Sequence, residues 1–157
     1  MHVQVKKLTV LSITLLLLFS FVAACGAKAT PTPAVEVPKP SNPGAPGEAI
    51  NLQGDATAGA VVFVDKCKEC HGDEGKVGID NPGSTDGTVP PVNPIDEGLV
   101  SSDNKTFATN IDLFIEHGST PEGDNPTKNM TAFGDTKELT PQQIADVIAY
   151  VISLNKK

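Results

Sequence analysis

Apolar side chains recur near the end of the chain at Ile144, Val147, Ile148 and Val151, with Leu154 beyond them. That three- and four-residue spacing places them on one face of a helix. The start signal is clear: Leu139-Thr140-Pro141-Gln142-Gln143-Ile144 offers a capping box from Thr140 to Gln143, a proline at the first helical position and a Leu139–Ile144 staple. A second helix is expected over about 55–66, with Asp55 as N-cap and Val61, Val62 and Phe63 among its buried residues. A third is expected over about 110–117. There Asn110 is the cap, Asp112 sits in the positive first turn, and His117 and Gly118 close the helix. No stretch alternates as a strand. Residues 71 to 105 are rich in Gly and Pro, too long a loop to stand inside a compact domain without support.

The other apolar run lies at the N-terminus. Leu8 to Val22 is preceded by Lys6 and Lys7 and followed by Ala23, Ala24 and Cys25, the layout of an export signal. Val-Ala-Ala-Cys resembles the bacterial lipobox, whose cysteine becomes the lipidated first residue, so lipidation is expected at Cys25. Two alternatives stay open: cleavage without a lipid, or retention as a membrane helix. Leu8 to Ala24 is 17 residues, at the short edge of what spans ~30 Å of hydrocarbon. Under all three the rest of the chain lies at the extracytoplasmic face of a bacterial membrane. The chain then divides into 1–24, signal peptide or membrane anchor; 25–50, the lipid-attachment cysteine and a Pro/Ala-rich linker; and 51–157, the folded domain.

The formal net charge is −7, and removing Lys6 and Lys7 makes it −9. This excludes a nucleic-acid partner, which needs a basic footprint, and fits a partner with a basic or mixed docking face. There is no arginine and no tryptophan, and Tyr150 is the only tyrosine. So thin an aromatic core suits a domain that folds around something large and flat.

Cys67, Cys70 and His71 form C-x-x-C-H. A zinc site wants four ligands, and no second cysteine pair exists. A thioredoxin-like motif would need a β-α-β context. A disulfide would leave His71 and the long loop unexplained. C-x-x-C-H is the attachment signature of c-type haem: each cysteine forms a thioether and the histidine reaches the iron. One covalent haem c is therefore expected, on Cys67 and Cys70, with His71 as iron ligand. Gly59, Phe63 and Cys67 are spaced by four and share one stripe of the first helix.

Over residues 55 to 155 the chain resembles a class I monohaem cytochrome c. The resemblance rests on Gly59 and Phe63, on CKECHG, on NMTAFG and on LTPQQIADVIAYVISL with Tyr150 in the usual aromatic position. It implies an all-α fold, about three main helices with long loops wrapped around one haem. It also implies Met130 as the iron ligand opposite His71. The residues favour Met130 independently, since the only other methionine is Met1 and Met130 sits in a polar loop. An ordinary packing methionine, and His117 as a rival ligand, remain alternatives. Thr131 stands where the family commonly has proline, and STPEGDNPTKN lengthens the loop before Met130. The Nδ1–H of His71 should donate to a carbonyl. In the family that carbonyl belongs to a proline, and Pro90 is the match; Asn110 and Lys105 are candidate propionate donors.

Two axial ligands leave no vacant position, so the expected function is single-electron transfer, with no catalysis and no small-molecule substrate. A membrane-tethered shuttle would serve a quinol-oxidising complex and an oxidase or reaction centre. The alternative is a fixed subunit of a quinol-oxidising membrane complex such as alternative complex III, with residues 78–105 and 119–129 as docking surfaces.

Overall fold

The computed structural model describes residues 44–156; the leader, Cys25 and most of the linker lie outside the described residues. Among the described residues there are two isolated bridges and no strand. The helices are α1 (Ala56–Lys66), α2 (Lys68–His71), α3 (Asn104–His117) and α4 (Pro141–Asn155), with 3-10 turns at Glu48–Asn51 and Asp73–Gly75. The core is formed chiefly by Phe63 of α1, Phe107, Ile111 and Ile115 of α3, and the apolar face of α4.

α4 begins as its sequence dictates. Thr140 Oγ1 accepts from the Gln143 amide, the Thr140 amide donates to Gln143 Oε1, and Pro141 occupies the first turn. Ile144, Val147, Ile148 and Val151 are buried, with Leu139 beneath the first turn. α1 starts at Asp55, whose carboxylate accepts from the amides of Thr57 and Ala58. Phe63 is buried and Val62 partly so, but Val61 is 70% exposed. Two residues are roughly 200° around a helix, so the face that buries Phe63 turns Val61 to solvent.

α1 and α4 cross in close contact. A Cβ at Gly59 would lie 1.9 Å from the carbonyl oxygen of Asp146, and one at Gly54 would lie 2.1 Å from that of Ala145. Beside the crossing, Asp146 Oδ1 accepts from the Asp55 amide and from Gln142 Nε2, both at 2.9 Å. The rings of Phe63 and Tyr150 pack at 5.3 Å, tilted by 57°.

α3 corrects the sequence reading. It is capped by Asp103, which accepts from the Thr106 amide at 2.8 Å, and it starts at Asn104 instead of Asn110. The first turn, Asn104-Lys105-Thr106, carries no apolar residue, so hydrophobic periodicity becomes visible only at Phe107. Asn110 is buried mid-helix and donates from Nδ2 to the Leu99 carbonyl at 2.8 Å. Asp112 is therefore not in the first turn. It is fully buried: Oδ2 accepts from the Gly47 amide at 2.7 Å, while Oδ1 has no partner among the described residues.

Residues 44–50, linker-like in composition, pack on this body, with Ala49 buried. They are clasped by His117 at the end of α3. Its Nδ1 lies 2.9 Å from Asp135 Oδ2 and its Nε2 lies 2.8 Å from the Ala45 carbonyl oxygen. Both partners accept only, so both ring nitrogens donate when the imidazole is charged. The Asp135 contact first, and the Ala45 carbonyl second, raise the His117 pKa. Burial raises that of Asp112, against the Gly47 bond. Both groups bind protons more tightly folded than unfolded. The clasp's contribution is complete below the unfolded histidine value of ~6.5 and is lost as pH rises through the higher folded value. Denaturant midpoints are accordingly expected to fall over that interval, and His117→Ala is expected to flatten the dependence. An equally steep fall in the variant would remove His117 from this role.

Candidate functional site

The C-x-x-C-H residues sit at the junction of α1 and α2. Cys67 ends α1, donating its N–H to the Phe63 carbonyl at 2.9 Å, and the amides of Cys70 and His71 turn back onto the Cys67 carbonyl at 3.2 and 3.0 Å. One turn of backbone thus presents two thiols and an imidazole together. Both cysteines are free and partly buried. Burial, and then the neighbouring Cys70, push the Cys67 thiol up to about 12. Among the described residues no group of three or more His, Cys, Asp or Glu is arranged to hold a metal ion.

His71 Nδ1 lies 2.9 Å from the Pro90 carbonyl oxygen. A carbonyl only accepts, so Nδ1 carries the hydrogen. Burial lowers the His71 pKa against the opposing effect of the Pro90 bond, which favours the neutral ring. The lone pair is then on Nε2, which has no hydrogen-bond partner among the described residues.

The Pro90 carbonyl is placed by a loop folded back on itself. Gly72 and Gly75 take φ of +74° and +71°, where a side chain would be strained. The Gly75 carbonyl accepts from the amides of Val92 and Asn93 at 2.8 and 3.0 Å, and a Cβ at Gly75 would lie 2.3 Å from Val92 Cγ2. The Ile79 amide donates to the Cys70 carbonyl, and the Val89 amide to that of Ile79. From the far side, Asn155 donates to the Val92 carbonyl at 2.8 Å and accepts from the Ile95 amide at 2.9 Å. The long loop has protein supports of its own that the sequence did not disclose. Nothing marks Asn155 as one of them, since an asparagine at a helix end usually reads as a terminator.

Met130 is partly buried and, like Cys67, Val92 and Tyr150, packs against the core. Its backbone pairs with Ser119, Met130 N–H to Ser119 O at 2.8 Å and the reverse at 3.2 Å. Gly118 precedes this bridge at φ +67°, and a Cβ there would lie 2.5 Å from the Met130 carbonyl oxygen. His117, the rival ligand, has both ring nitrogens engaged by Asp135 and Ala45. Asn110 donates from Nδ2 to the Leu99 carbonyl, and Lys105 is exposed on the first turn of α3.

The family described as cytochrome c matches residues 56–155, from the start of α1 to the end of α4. The chain belongs to the cytochrome c family. Comparison with curated proteins and with solved structures gave no match. Membership implies haem c binding, electron transfer and the small all-α fold that the helices display. The donor set of this cytochrome c fits that group: two free thiols for thioether formation and an imidazole oriented through Nδ1 by the Pro90 carbonyl. A partly buried thioether sits on a loop pinned at its base.

Proposed function

We propose that this cytochrome c holds a single haem c on Cys67 and Cys70, with His71 and Met130 as its iron ligands. It carries single electrons between membrane redox complexes on the extracytoplasmic side of a bacterial membrane, tethered through a lipid on Cys25. The observation that carries the reading is His71, whose Nδ1 is bound to Pro90 while Nε2 keeps a lone pair for iron. When bound, the haem supplies a one-electron ferric–ferrous couple. The chain's part is to hold it. The cysteines would hold it covalently, Pro90 fixes the tautomer and angle of His71, and the Met130 thioether would favour the ferrous state.

The tether is supported by the lipobox-like Val22-Ala23-Ala24-Cys25 and the Pro-rich stretch after it. No helix among the described residues is long and apolar enough to cross a membrane. A tether gives a small carrier a high local concentration at its partners. A fixed subunit of a quinol-oxidising complex, such as alternative complex III, is the second reading. It is favoured by the way residues 79–89 and 119–130 lock together into one ordered surface (below).

Two measurements test the proposal. Intact mass of the mature protein is expected to show one haem, cleavage before Cys25 and an added diacylglyceryl lipid. A mass without lipid, or with the leader retained, removes the lipid anchor. Membranes solubilised in mild detergent and sized by haem staining separate the two readings. A small species supports the shuttle, and co-migration with a large assembly supports the subunit.

A further inference from the structure

The segment Asp80-Asn81-Pro82-Gly83 reads as an exposed turn, yet Asn81 is fully buried. Its side chain pairs with backbone from a distant loop. Oδ1 accepts from the amides of Thr127 at 3.0 Å and Lys128 at 2.8 Å, and Nδ2 donates to the Lys128 carbonyl at 3.0 Å. Its own backbone is fixed too: the amide donates to Gly87 O, and the carbonyl accepts from the amide and hydroxyl of Ser84. One amide side chain thus does for residues 127 and 128 what a neighbouring strand would do.

Around Asn81 the two loops are closed backbone to backbone. Thr85 N–H donates to Glu122 O at 2.8 Å, Thr127 N–H to Pro82 O at 3.1 Å, and Asn125 N–H to Gly83 O at 3.3 Å. A Cβ at Gly83 would lie 2.0 Å from Asn125 O, and one at Gly123 would lie 2.1 Å from Gly83 O. The loop held this way, Ser119-Thr120-Pro121-Glu122-Gly123-Asp124-Asn125-Pro126-Thr127-Lys128-Asn129, contains no large apolar side chain to bury. Its ordering entropy must be offset by hydrogen bonds and close backbone contact. The loop ends at Met130. Its base is closed by the Ser119–Met130 bridge, and Asn81 holds it two residues before the methionine.

We propose that Asn81 is a positioning residue for the iron-binding methionine. By gripping residues 127 and 128 it removes the slack that would let Met130 leave the metal. This rests on Met130 being the iron ligand. Alanine at position 81 would remove the partner of the Thr127 amide and of the Lys128 amide and carbonyl, three part-buried hydrogen bonds. Opening the loop would then restore their hydrogen bonds through water, and opening is the motion that withdraws the sulfur.

The test is imidazole binding by the purified ferric holoprotein, followed through loss of the weak red-edge absorption of thioether-ligated haem. An added ligand binds in proportion to the fraction of protein whose iron is open. Asn81→Ala is expected to bind imidazole roughly tenfold more tightly than the unmodified protein and to show a lower midpoint potential. Met130→Ala, measured alongside, marks the fully open limit. An imidazole affinity unchanged in Asn81→Ala, with the red-edge band present in the unmodified protein, overturns the role of Asn81 alone. A band missing from the unmodified protein, with affinity equal to that of Met130→Ala, overturns the ligand assignment and this inference with it. Should Asn81→Ala not fold, hydrogen exchange in the unmodified holoprotein decides. The Thr127 and Lys128 amides are expected to exchange as slowly as that of Met130, and fast exchange there refutes the grip.

Discussion

Met130→Ala is expected to leave the haem covalently attached, abolish the red-edge ferric absorption and lower the midpoint potential by roughly a tenth of a volt or more. Axial ligation moves haem potentials over ~0.8 V, and a thioether opposite histidine lies toward the upper part of that range. Two effects act together. With Met130 as the proposed iron ligand, the variant would lose the soft sulfur donor that favours ferrous iron, and water in its place would stabilise the ferric charge. The attachment survives because Cys67, Cys70 and His71 occupy a separate turn, held by Pro90 and the loop behind it. The variant should also bind small ligands that the unmodified protein excludes. Spectroelectrochemistry on the two proteins checks all three points. An unchanged potential and band would show that another group ligates the iron. His117 is poorly placed for that role, since both its nitrogens are committed to the clasp on residues 44–50.

The parts of this fold legible in the sequence are those whose signals are local. The α4 capping box lies within one turn of chain, and the Cys67–His71 turn is a contiguous motif. The reading failed where a decisive partner was remote or an apolar marker was missing. The start of α3 is hidden because its first turn is polar and its cap, Asp103, lies well before Phe107. By sequence Asn110 is a cap and Asp112 a first-turn residue, and no local signal marks Asn81 or Asn155. In the structure Asn81, Asn110, Asp112 and Asn155 are each committed to backbone far along the chain, at Lys128, Leu99, Gly47 and Val92 respectively. In a chain with so few aromatics, buried amides and carboxylates take on the ordering of loops that large apolar side chains perform elsewhere. Hydrophobic patterning is blind to that substitution. The sequence alone points only to the haem as support for the long loops, whereas residues 79–93 also carry a protein network.

Gly59→Ala sets two effects of opposite sign against each other. On helix propensity alone, alanine inside α1 stabilises by ~1 kcal/mol relative to glycine. Against it stands the α1–α4 crossing, where the added Cβ would sit 1.9 Å from the Asp146 carbonyl oxygen and 3.0 Å from Tyr150 Cβ. The nearest atom is helix backbone and cannot rotate away, so the helices must move apart. That motion loosens the Phe63–Tyr150 packing and stretches the Asp55–Asp146 hydrogen bond. Overpacking a tight contact costs ~1–3 kcal/mol, and a clash with backbone belongs at the upper end, so the contact outweighs propensity. The expected result is a net loss of about 2 kcal/mol, a substantial share of the ~5–15 kcal/mol that holds a domain folded. Ala58→Gly supplies the control. It changes the adjacent, exposed position in the same helix and should cost only the ~1 kcal/mol of propensity. Denaturant unfolding of the three holoproteins gives the comparison. A Gly59→Ala protein as stable as the parent would mean that α1 and α4 do not cross at this distance. The placement of Cys67 at the end of α1 would then lose its physical basis.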